Sequence, residues 1–373
     1  MNIGFDAKRA FLNRTGLGNY SRWLIHSLVE YFPDNDYFLY TPKQSKAITF
    51  PAETRINVIT RLPNASLFKP AWRTRYILSD LKRDRIDLYH GLSHELPFGI
   101  KKSGIKSVVT IHDLIVLKYP QYFKAVDRLI YKAKLKYACK AANAIVAMSE
   151  QTKGDLNELL NVPLDKISVI YQGCDEAFKK RPDDARLNEV RLKYQLPDQY
   201  LLNVGTIETR KNLQLLIEAL PFIPEIKLVV VGKPTGYLEL IKKQIRELNL
   251  TDRILFLHQV PFEDLPAIYH LAKCFIYPSR YEGFGIPILE ALSSGVPVVA
   301  ATGSCLEEAG GPDSLYVNPD DHRALAVAVN RILADEKLAN SMISRGLSFS
   351  ANFAPDLLAK QYISLYQQIT RHA

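Results

Sequence analysis

The densest concentration of reactive residue types lies in Tyr277-Pro278-Ser279-Arg280-Tyr281-Glu282-Gly283-Phe284-Gly285-Ile286-Pro287-Ile288-Leu289-Glu290-Ala291-Leu292. A strand is predicted to end at Pro278, a loop to carry Gly283 and Gly285, and a helix to begin near Ile286. Pro287 suits its first turn, and Gly295 follows its end. Glu282 then sits in the loop and Glu290 on the helix, one turn past Pro287. A carboxylate is acceptor-only and suits gripping paired sugar hydroxyls. The amides of Gly283, Phe284, Gly285 and Ile286, at a helix start, suit an oxyanion. Glu290 could be a mere helix-surface residue. Yet Ile286, Ile288, Leu289, Ala291 and Leu292 surround it, and an acid in a helix apolar nearly all round needs a partner, which a ligand could be.

A second constellation is Asn203-Val204-Gly205-Thr206-Ile207-Glu208-Thr209-Arg210-Lys211-Asn212. Strand, loop, then helix places Arg210 and Lys211 at a helix N-terminus. Cations there oppose the helix dipole, so helix stability does not account for them. Binding a diphosphate would; solvated surface charge is the plainer alternative.

The third is Thr15-Gly16-Leu17-Gly18-Asn19-Tyr20, between a strand and a helix running through Trp23, Leu24 and Leu28. Gly16 and Gly18 would let backbone approach a phosphate at a helix N-terminus. Alone, the motif reads equally as a tight turn without a ligand. Ser21 replaces the third glycine of the dinucleotide fingerprint, and the second strand ends Leu39-Tyr40-Thr41 without the acid a nicotinamide site needs for its ribose.

His90 and His94 follow another strand and could line an acceptor side. Their spacing could also serve zinc, but no third ligand is in view. Asp34-Asn35-Asp36 has the spacing of a metal-binding acid pair, but its Pro-Asp-Asn context before a strand reads as a turn.

The elements that must position these residues alternate along the chain. Strands are predicted at Asn2–Phe5, Tyr37–Tyr40, Ile56–Ile59, Asp87–Tyr89, Ser107–Ile111, Ala144–Ala147 and Ile167–Ile170. They resume at Leu201–Val204, Lys227–Val231, Ile254–Leu257, Cys274–Tyr277, Pro297–Ala300 and Leu315–Val317. Many are continuous apolar runs, as strands covered on both faces should be. Alternation with helices implies an α/β chain of parallel, doubly wound sheets. A polar stretch near Gly173–Arg181 marks a hinge. The expected division is 1–175, 176–355 and a closing helix within 356–373, about Asp356–Thr370, that packs back on the N-terminal domain.

At 373 residues the chain exceeds one ordinary core, so two domains are expected. Cys139, Cys174, Cys274 and Cys305 lie far apart and read as reduced thiols of a cytoplasmic protein. Met1–Asp6 reads as a strand rather than a signal peptide, and no apolar run approaches the ~20 residues of a membrane span. The protein is expected to be cytoplasmic, peripheral at the inner face of the membrane at most.

A net charge of +9 favours anionic partners. Lys124, Arg128, Lys132, Lys136 and Lys140 recur every fourth residue and form a slowly winding basic stripe on a predicted helix. It suits an anionic lipid surface or lipid-diphosphate acceptor, against the alternative of a solvated face. Nucleic acid is disfavoured, since no recognised binding motif accompanies the charge.

The two glutamates separated by seven residues, Lys211 after its strand-loop, the Gly16-Leu17-Gly18 loop and His112-Asp113-Leu114 together resemble glycosyltransferase family 4. The resemblance spans Asp6 to about Asp321. It is nearest to bacterial mannosyltransferase-like members that build polysaccharide, through Asp6-Ala7 before the glycine loop and an intact Tyr281-Glu282-Gly283-Phe284-Gly285. It implies a GT-B fold, two Rossmann-like doubly wound domains facing across a cleft. It also implies a retaining, metal-independent transfer of a hexose, with mannose from GDP-mannose as first choice, from a nucleotide diphosphate sugar to a glycan or lipid-linked acceptor. No cofactor is expected.

In that likeness Glu290 holds the donor ribose, Glu282 contacts the transferred sugar, and Lys211 with Arg210 neutralises the departing diphosphate. Gly16 and Gly18 approach the phosphates, and His112 faces the sugar. One departure is Thr206, where many members carry arginine after the loop glycine; phosphate binding then rests more on Arg210 and Lys211. Two rival functions share these features: a nucleotide-sugar 2-epimerase, which turns over donor without acceptor, and a non-catalytic nucleotide-sugar-binding subunit.

Overall fold

The computed structural model describes residues 1–45, 55–63 and 72–371. The chain divides into two compact units, Met1–Gly173 with Ala354–Ala373, and Cys174–Phe353. The first crossing thus falls at Gly173–Cys174, two residues before the boundary read from the sequence, and the chain re-enters the first unit at Ala354.

In the first unit, strands β1 (Asn2–Asp6), β2 (Asp36–Tyr40), β3 (Val58–Arg61), β4 (Leu88–Gly91), β5 (Lys106–Ile111), β6 (Ala144–Ala147) and β7 (Ile167–Val169) form one sheet in the order β3-β2-β1-β4-β5-β6-β7. All its pairings are parallel. The second unit holds β8 (Tyr200–Val204), β9 (Lys227–Val231), β10 (Ile254–Leu257), β11 (Cys274–Tyr277), β12 (Val298–Ala301) and β13 (Leu315–Val317), ordered β10-β9-β8-β11-β12-β13 and again parallel. Each strand read from the sequence is present, with ends shifted by no more than two residues.

The apolar runs are explained by burial on both faces. Leu228, Val229 and Val230 are fully buried, as are Val108, Val109 and Ile111 in the first sheet. Each such side chain contributes roughly 1.5–3 kcal/mol of burial, and parallel strands covered by helices on both sides require it throughout. Separate apolar clusters form in the two units, one around Leu201, Leu216, Val230 and Val299, the other around Tyr89, Val109, Leu135 and Ile145.

The closing helix, Pro355–Arg371, belongs to the first unit. It packs against the Gly16–Tyr31 helix through Tyr362 and Tyr366, both fully buried. Their hydroxyls find partners inside: Tyr362 lies 2.9 Å from the Tyr20 hydroxyl, and Tyr366 2.6 Å from His90 Nδ1. Thr110 Oγ1 completes the network at 2.8 Å from both Tyr20 and His90 Nε2. A satisfied buried network of this kind specifies one packing of the helix.

Candidate active site

In a doubly wound sheet, ligands bind outside the carboxyl ends of the strands where the strand order reverses. In the second unit that point lies between β8 and β11, since β8 leads outward to β9 and β10 before the chain crosses to β11. The loops leaving these two strands carry the Arg210-Lys211 and Glu282 constellations, and they are tied together. The Arg280 amide donates to the Arg210 carbonyl at 3.0 Å. The Asn212 side-chain amide donates to the carbonyls of Pro278 at 3.2 Å and Pro319 at 2.8 Å.

Arg210 and Lys211 occupy a single 3-10 turn, Thr209–Lys211, ahead of the Leu213–Ala219 helix. Both converge on Glu282. Its Oε1 lies 2.6 Å from Lys211 Nζ, 2.7 Å from an Arg210 guanidinium nitrogen, 2.7 Å from Ser279 Oγ and 3.0 Å from the Tyr277 hydroxyl. Glu208 holds the other arm of Arg210 at 2.6 Å. The Arg210, Lys211 and Glu282 side chains are only 15%, 17% and 13% exposed, which rules out solvated surface charge. Burial alone would raise the Glu282 carboxyl, but Lys211 and then Arg210 outweigh it and hold it down at about 2. Burial likewise disfavours the Arg210 charge, yet Glu282 and Glu208 keep it firmly protonated. Two cations face two carboxylates, so the ligand-free cluster is balanced. Any anion that approached Lys211 would meet a cation already paired with Glu282.

Glu290 lies on the Ile286–Ser293 helix, which starts with Pro287 in its first turn. Its partner within the chain is Tyr269, whose hydroxyl donates to Glu290 Oε2 at 2.9 Å. The Tyr269 ring is fixed by Phe178 and Phe275, each 5.4 Å away. Burial raises the Glu290 carboxyl to about 8, with nearby Asp175 adding to the shift and the Tyr269 hydrogen bond opposing it. Among the described residues no cation pairs with this acid, in contrast to Glu282.

Between the two glutamates, Phe284 is buried against Phe353 with ring centres 5.6 Å apart, so its side chain anchors the loop and only its backbone can meet a ligand. Gly285 has φ +129°, and a Cβ there would press on Ala309 and Leu306 at 3.1 Å. That backbone favours glycine.

The first unit reverses strand order between β1 and β4. Gly16 begins the Gly16–Tyr31 helix in the open, where a Cβ would meet nothing within 4 Å. Gly18 differs: a Cβ on it would fall 1.9 Å from the Asn13 carbonyl oxygen, and its amide donates to Thr15. Close chain packing therefore accounts for Gly18, whereas Gly16 is exposed with open space beside it. Arg73 bridges the two strand ends, contacting Asp6 at 2.6 Å and also Glu95, which Lys134 meets at 2.9 Å.

His112, just beyond β5, donates from Nε2 to the Leu92 carbonyl at 2.9 Å, leaving Nδ1 as the acceptor of a neutral ring. Burial, reinforced by His94, keeps it well below the usual histidine range. His94 accepts the His112 amide on Nε2 at 2.9 Å and therefore carries its proton on Nδ1, 2.8 Å from the Tyr131 hydroxyl. That hydroxyl donates onward to the Asp113 carbonyl. His90 is fully buried with both ring nitrogens engaged, so it lines no acceptor surface; it serves the closing-helix network. Asp34 and Asn35 form the expected turn, and Asn35 Oδ1 accepts from the N-terminal amine.

The basic stripe is modified by its surroundings. Lys124, Lys132, Lys136 and Lys140 are exposed on or just before the Ala125–Ala141 helix, whereas Arg128 is half-buried and donates to the Pro120 carbonyl at 3.3 Å. All four cysteines are buried and unbridged. Among the described residues, no helix is long and apolar enough to cross a membrane.

The sequence reading missed Tyr269, Ser279, Tyr277 and Arg73. Tyr277 and Ser279 flank Glu282 within five residues and were open to suspicion; Tyr269 and Arg73 act across sequence distances that carry no local signal.

Comparison with known proteins is consistent with this geometry. Residues 21–178 match the model described as Glycosyltransferase Family 4, and residues 188–349 match Glycosyl transferases group 1. The chain is 33% identical over 287 residues to O-antigen chain mannosyltransferase B of Escherichia coli, covering 75% of this chain and 74% of that one. It is 30% identical over 247 residues to O-antigen chain mannosyltransferase RfbU of Salmonella typhimurium, covering 66% and 65%. Sucrose-phosphate synthase from Thermosynechococcus elongatus shares the fold at TM-score 0.77 and 23% identity over the full length of both chains. Anabaena Alr3699/HepE, solved in complex with UDP, does so at 0.76 and 17%, over 98% of this chain and 99% of that one. Two matched models that together span most of its length, and a relative one-third identical over three-quarters of it, make this chain a member of the family 4, group 1 glycosyltransferases, with the GT-B fold.

Proposed function

We propose that this glycosyltransferase moves mannose from GDP-mannose, with retention of anomeric configuration and without a metal ion, onto a glycan or lipid-linked acceptor in bacterial polysaccharide or lipopolysaccharide synthesis. The observation that carries the reading is the convergence of Arg210 and Lys211 on Glu282 at the strand-order reversal of the second unit. The choice of sugar and acceptor is supported by the O-antigen mannosyltransferase names of the two relatives.

Breaking the sugar–phosphate bond builds negative charge on the diphosphate and oxocarbenium character on the sugar. Lys211 and Arg210 stabilise the first, in the role a divalent ion takes elsewhere, and they do so most where the charge is largest. Glu282 yields Lys211 to the diphosphate and is left facing the sugar as an acceptor for its hydroxyls. Glu290 accepts the ribose hydroxyls, and the open backbone at Gly16 receives phosphate oxygens. His112 offers the sugar a neutral nitrogen. The exposed lysines of the Ala125–Ala141 helix support contact with an anionic membrane surface.

The test is a panel of nucleotide sugars scored by thermal shift in EDTA, followed by NMR of the product formed with a mannan or lipid-linked acceptor. GDP-mannose is expected to raise Tm most and to give an α-mannoside from the α-donor. Inverted product, a requirement for metal, or a different preferred donor overturns the corresponding part. Release of a free epimer from donor alone would instead indicate a 2-epimerase.

A further inference from the structure

The first unit has a strand-order reversal of its own, between β1 and β4, and a doubly wound sheet offers a ligand site at such a point. Lys8 and Arg9 leave β1 there, at the start of the Lys8–Leu12 helix. The turn that carries them is braced. The Lys8 amide donates to Asp6 Oδ1 at 3.3 Å, and Arg22 donates to the carbonyls of Ala10 and Asn13, each at 2.8 Å. Across the reversal, the chain after β4 turns back sharply. A Cβ on Gly91 would collide with the Glu95 carbonyl oxygen, and the His94 amide donates to the Thr110 carbonyl at 2.9 Å. That turn brings Glu95 to Arg73, which also holds Asp6.

The resulting cluster repeats the pattern of the second unit with one difference. Arg73 stands between Asp6 and Glu95 as Arg210 stands between Glu208 and Glu282, and each arginine side chain is 15% exposed. In the second unit two cations face two carboxylates. In the first, Lys8, Arg9, Arg73 and Lys134 share Asp6 and Glu95, and cations still outnumber acids when Asp113, which acts on His112, is counted in. Lys8 and Arg9 are half-buried, and among the described residues neither forms an ion pair. Burial, then Arg73 and Arg9, disfavour the Lys8 charge, with Asp6 and Glu95 opposing them. Burial keeps His94 and His112 neutral, and Arg9 adds to it at both. Helix stability does not account for the pair, since cations in a first turn oppose the helix dipole. Half-buried like charges without counter-charge cost stability, and a polyvalent anion relieves that cost. Arginine and lysine side by side suit a phosphate, one through its planar fork and the other as a point charge.

We propose that the first unit's strand reversal binds the phosphate or diphosphate of an anionic acceptor, with Lys8 and Arg9 pairing with the phosphate oxygens and Glu95 accepting hydroxyls of the sugar beside it. The assignment rests on the transfer reaction proposed above and narrows its acceptor to a sugar that carries phosphate. Arg73 is a positioning residue here, fixing Glu95 relative to Asp6. The donor's diphosphate is the other source of the same chemistry. Its cations are already supplied by the Glu282 cluster of the second unit, which leaves Lys8 and Arg9, grouped with Glu95, for the acceptor.

The test titrates methyl diphosphate, by calorimetry at low salt in EDTA, into the full chain saturated with GDP. Wild type is expected to show one site. Lys8→Gln/Arg9→Gln should weaken it roughly tenfold or more, the scale of losing charge-assisted contacts, while Lys8→Arg/Arg9→Lys should largely retain it. GDP affinity should be the same in all three. Arg210→Ala/Lys211→Ala should lose GDP and keep methyl diphosphate. The ligand-free Lys8→Gln/Arg9→Gln protein should melt no lower than wild type, because it sheds uncompensated charge; a lower Tm marks the two side chains as structural and counts against the site. If Lys8→Gln/Arg9→Gln weakens GDP and leaves methyl diphosphate untouched, the cations serve the donor and the proposal is overturned. Methyl diphosphate that fails to bind the GDP-saturated wild type, or binds every variant equally, overturns it too. Wild type that binds methyl diphosphate but no GDP contradicts the donor assignment alone, so the two failures are told apart.

Discussion

The Tyr269 hydroxyl donates to Glu290 Oε2 at 2.9 Å, and it does so to a carboxyl that burial has pushed up to about 8. At neutral pH the ligand-free acid is therefore largely protonated, whereas gripping two ribose hydroxyls calls for the ionised, acceptor-only form. Donor affinity should rise between pH 6.5 and 9, and Tyr269→Phe should weaken it several-fold by removing the bond that opposes the shift. In calorimetry at a series of pH values, Tyr269→Phe should move the affinity midpoint upward. A flat profile in both proteins speaks against the assignment.

The same shift has a consequence for stability. A carboxyl raised in the folded state binds its proton more tightly there than in the unfolded chain, so stability falls as pH rises from about 4.5 to about 8. Glu290→Gln, which cannot ionise, should be more stable than wild type at pH 8, with the gap closing toward pH 5. Denaturant unfolding at the two pH values checks this. Glu282 has the opposite sign: depressed to about 2, it contributes stability above its unfolded range that is lost as pH falls from about 4.5 through 2.

Because Glu282 and a diphosphate compete for Lys211, Glu282→Gln should bind GDP at least as tightly as wild type while turning over far less. The free variant should be less stable, by up to about 3 kcal/mol, since it leaves two buried cations with one carboxylate fewer, and GDP should recover part of that loss. Tm with and without GDP, alongside kcat, measures both. Weaker GDP binding in Glu282→Gln contradicts the competition.

Lys211→Ala should cut kcat by about 10²–10³, the range for loss of a preorganised charge aimed at a transition state. If KM rises with kcat unchanged, Lys211 supplies uniform binding instead.

The two glycines of the first loop separate packing from ligand contact. Gly18→Ala drives a Cβ into the Asn13 carbonyl and should cost about 1–3 kcal/mol of stability. Gly16→Ala meets nothing and should leave Tm unchanged while raising the KM for donor. Equal KM in wild type and Gly16→Ala removes the first unit's backbone from the phosphates.

Much of this was legible in the chain. The strands came from short β-branched or aromatic runs, many of them continuous as doubly covered sheets require, and Glu282, Glu290, Arg210 and Lys211 came from residue types at strand-to-helix junctions. What periodicity could not supply was which neighbour each side chain finds. Tyr269 reaches Glu290 across 21 positions and Arg73 reaches Asp6 across 67, through the meeting of separate elements. Arg128 fell on the basic stripe by angle, yet the Pro120 carbonyl draws it aside. The Val126, Leu129, Ile130, Ala133 stripe was written in the sequence, but its pattern is that of a buried face. Only the fold shows that Leu135, Ala138 and Cys139 take that place.

The central claim is that the second unit's strand-order reversal binds a nucleoside diphosphate through Lys211 and Glu290. Calorimetric titration of GDP in EDTA into the full chain, its Glu290→Ala variant and the double variant Arg210→Ala/Lys211→Ala tests it most directly. Charge-assisted hydrogen bonds are worth about 1.5–3 kcal/mol each, so the account predicts one site in wild type, weakened about tenfold or more by Glu290→Ala and at least as much by the double variant. Equal GDP affinity in all three proteins would contradict it.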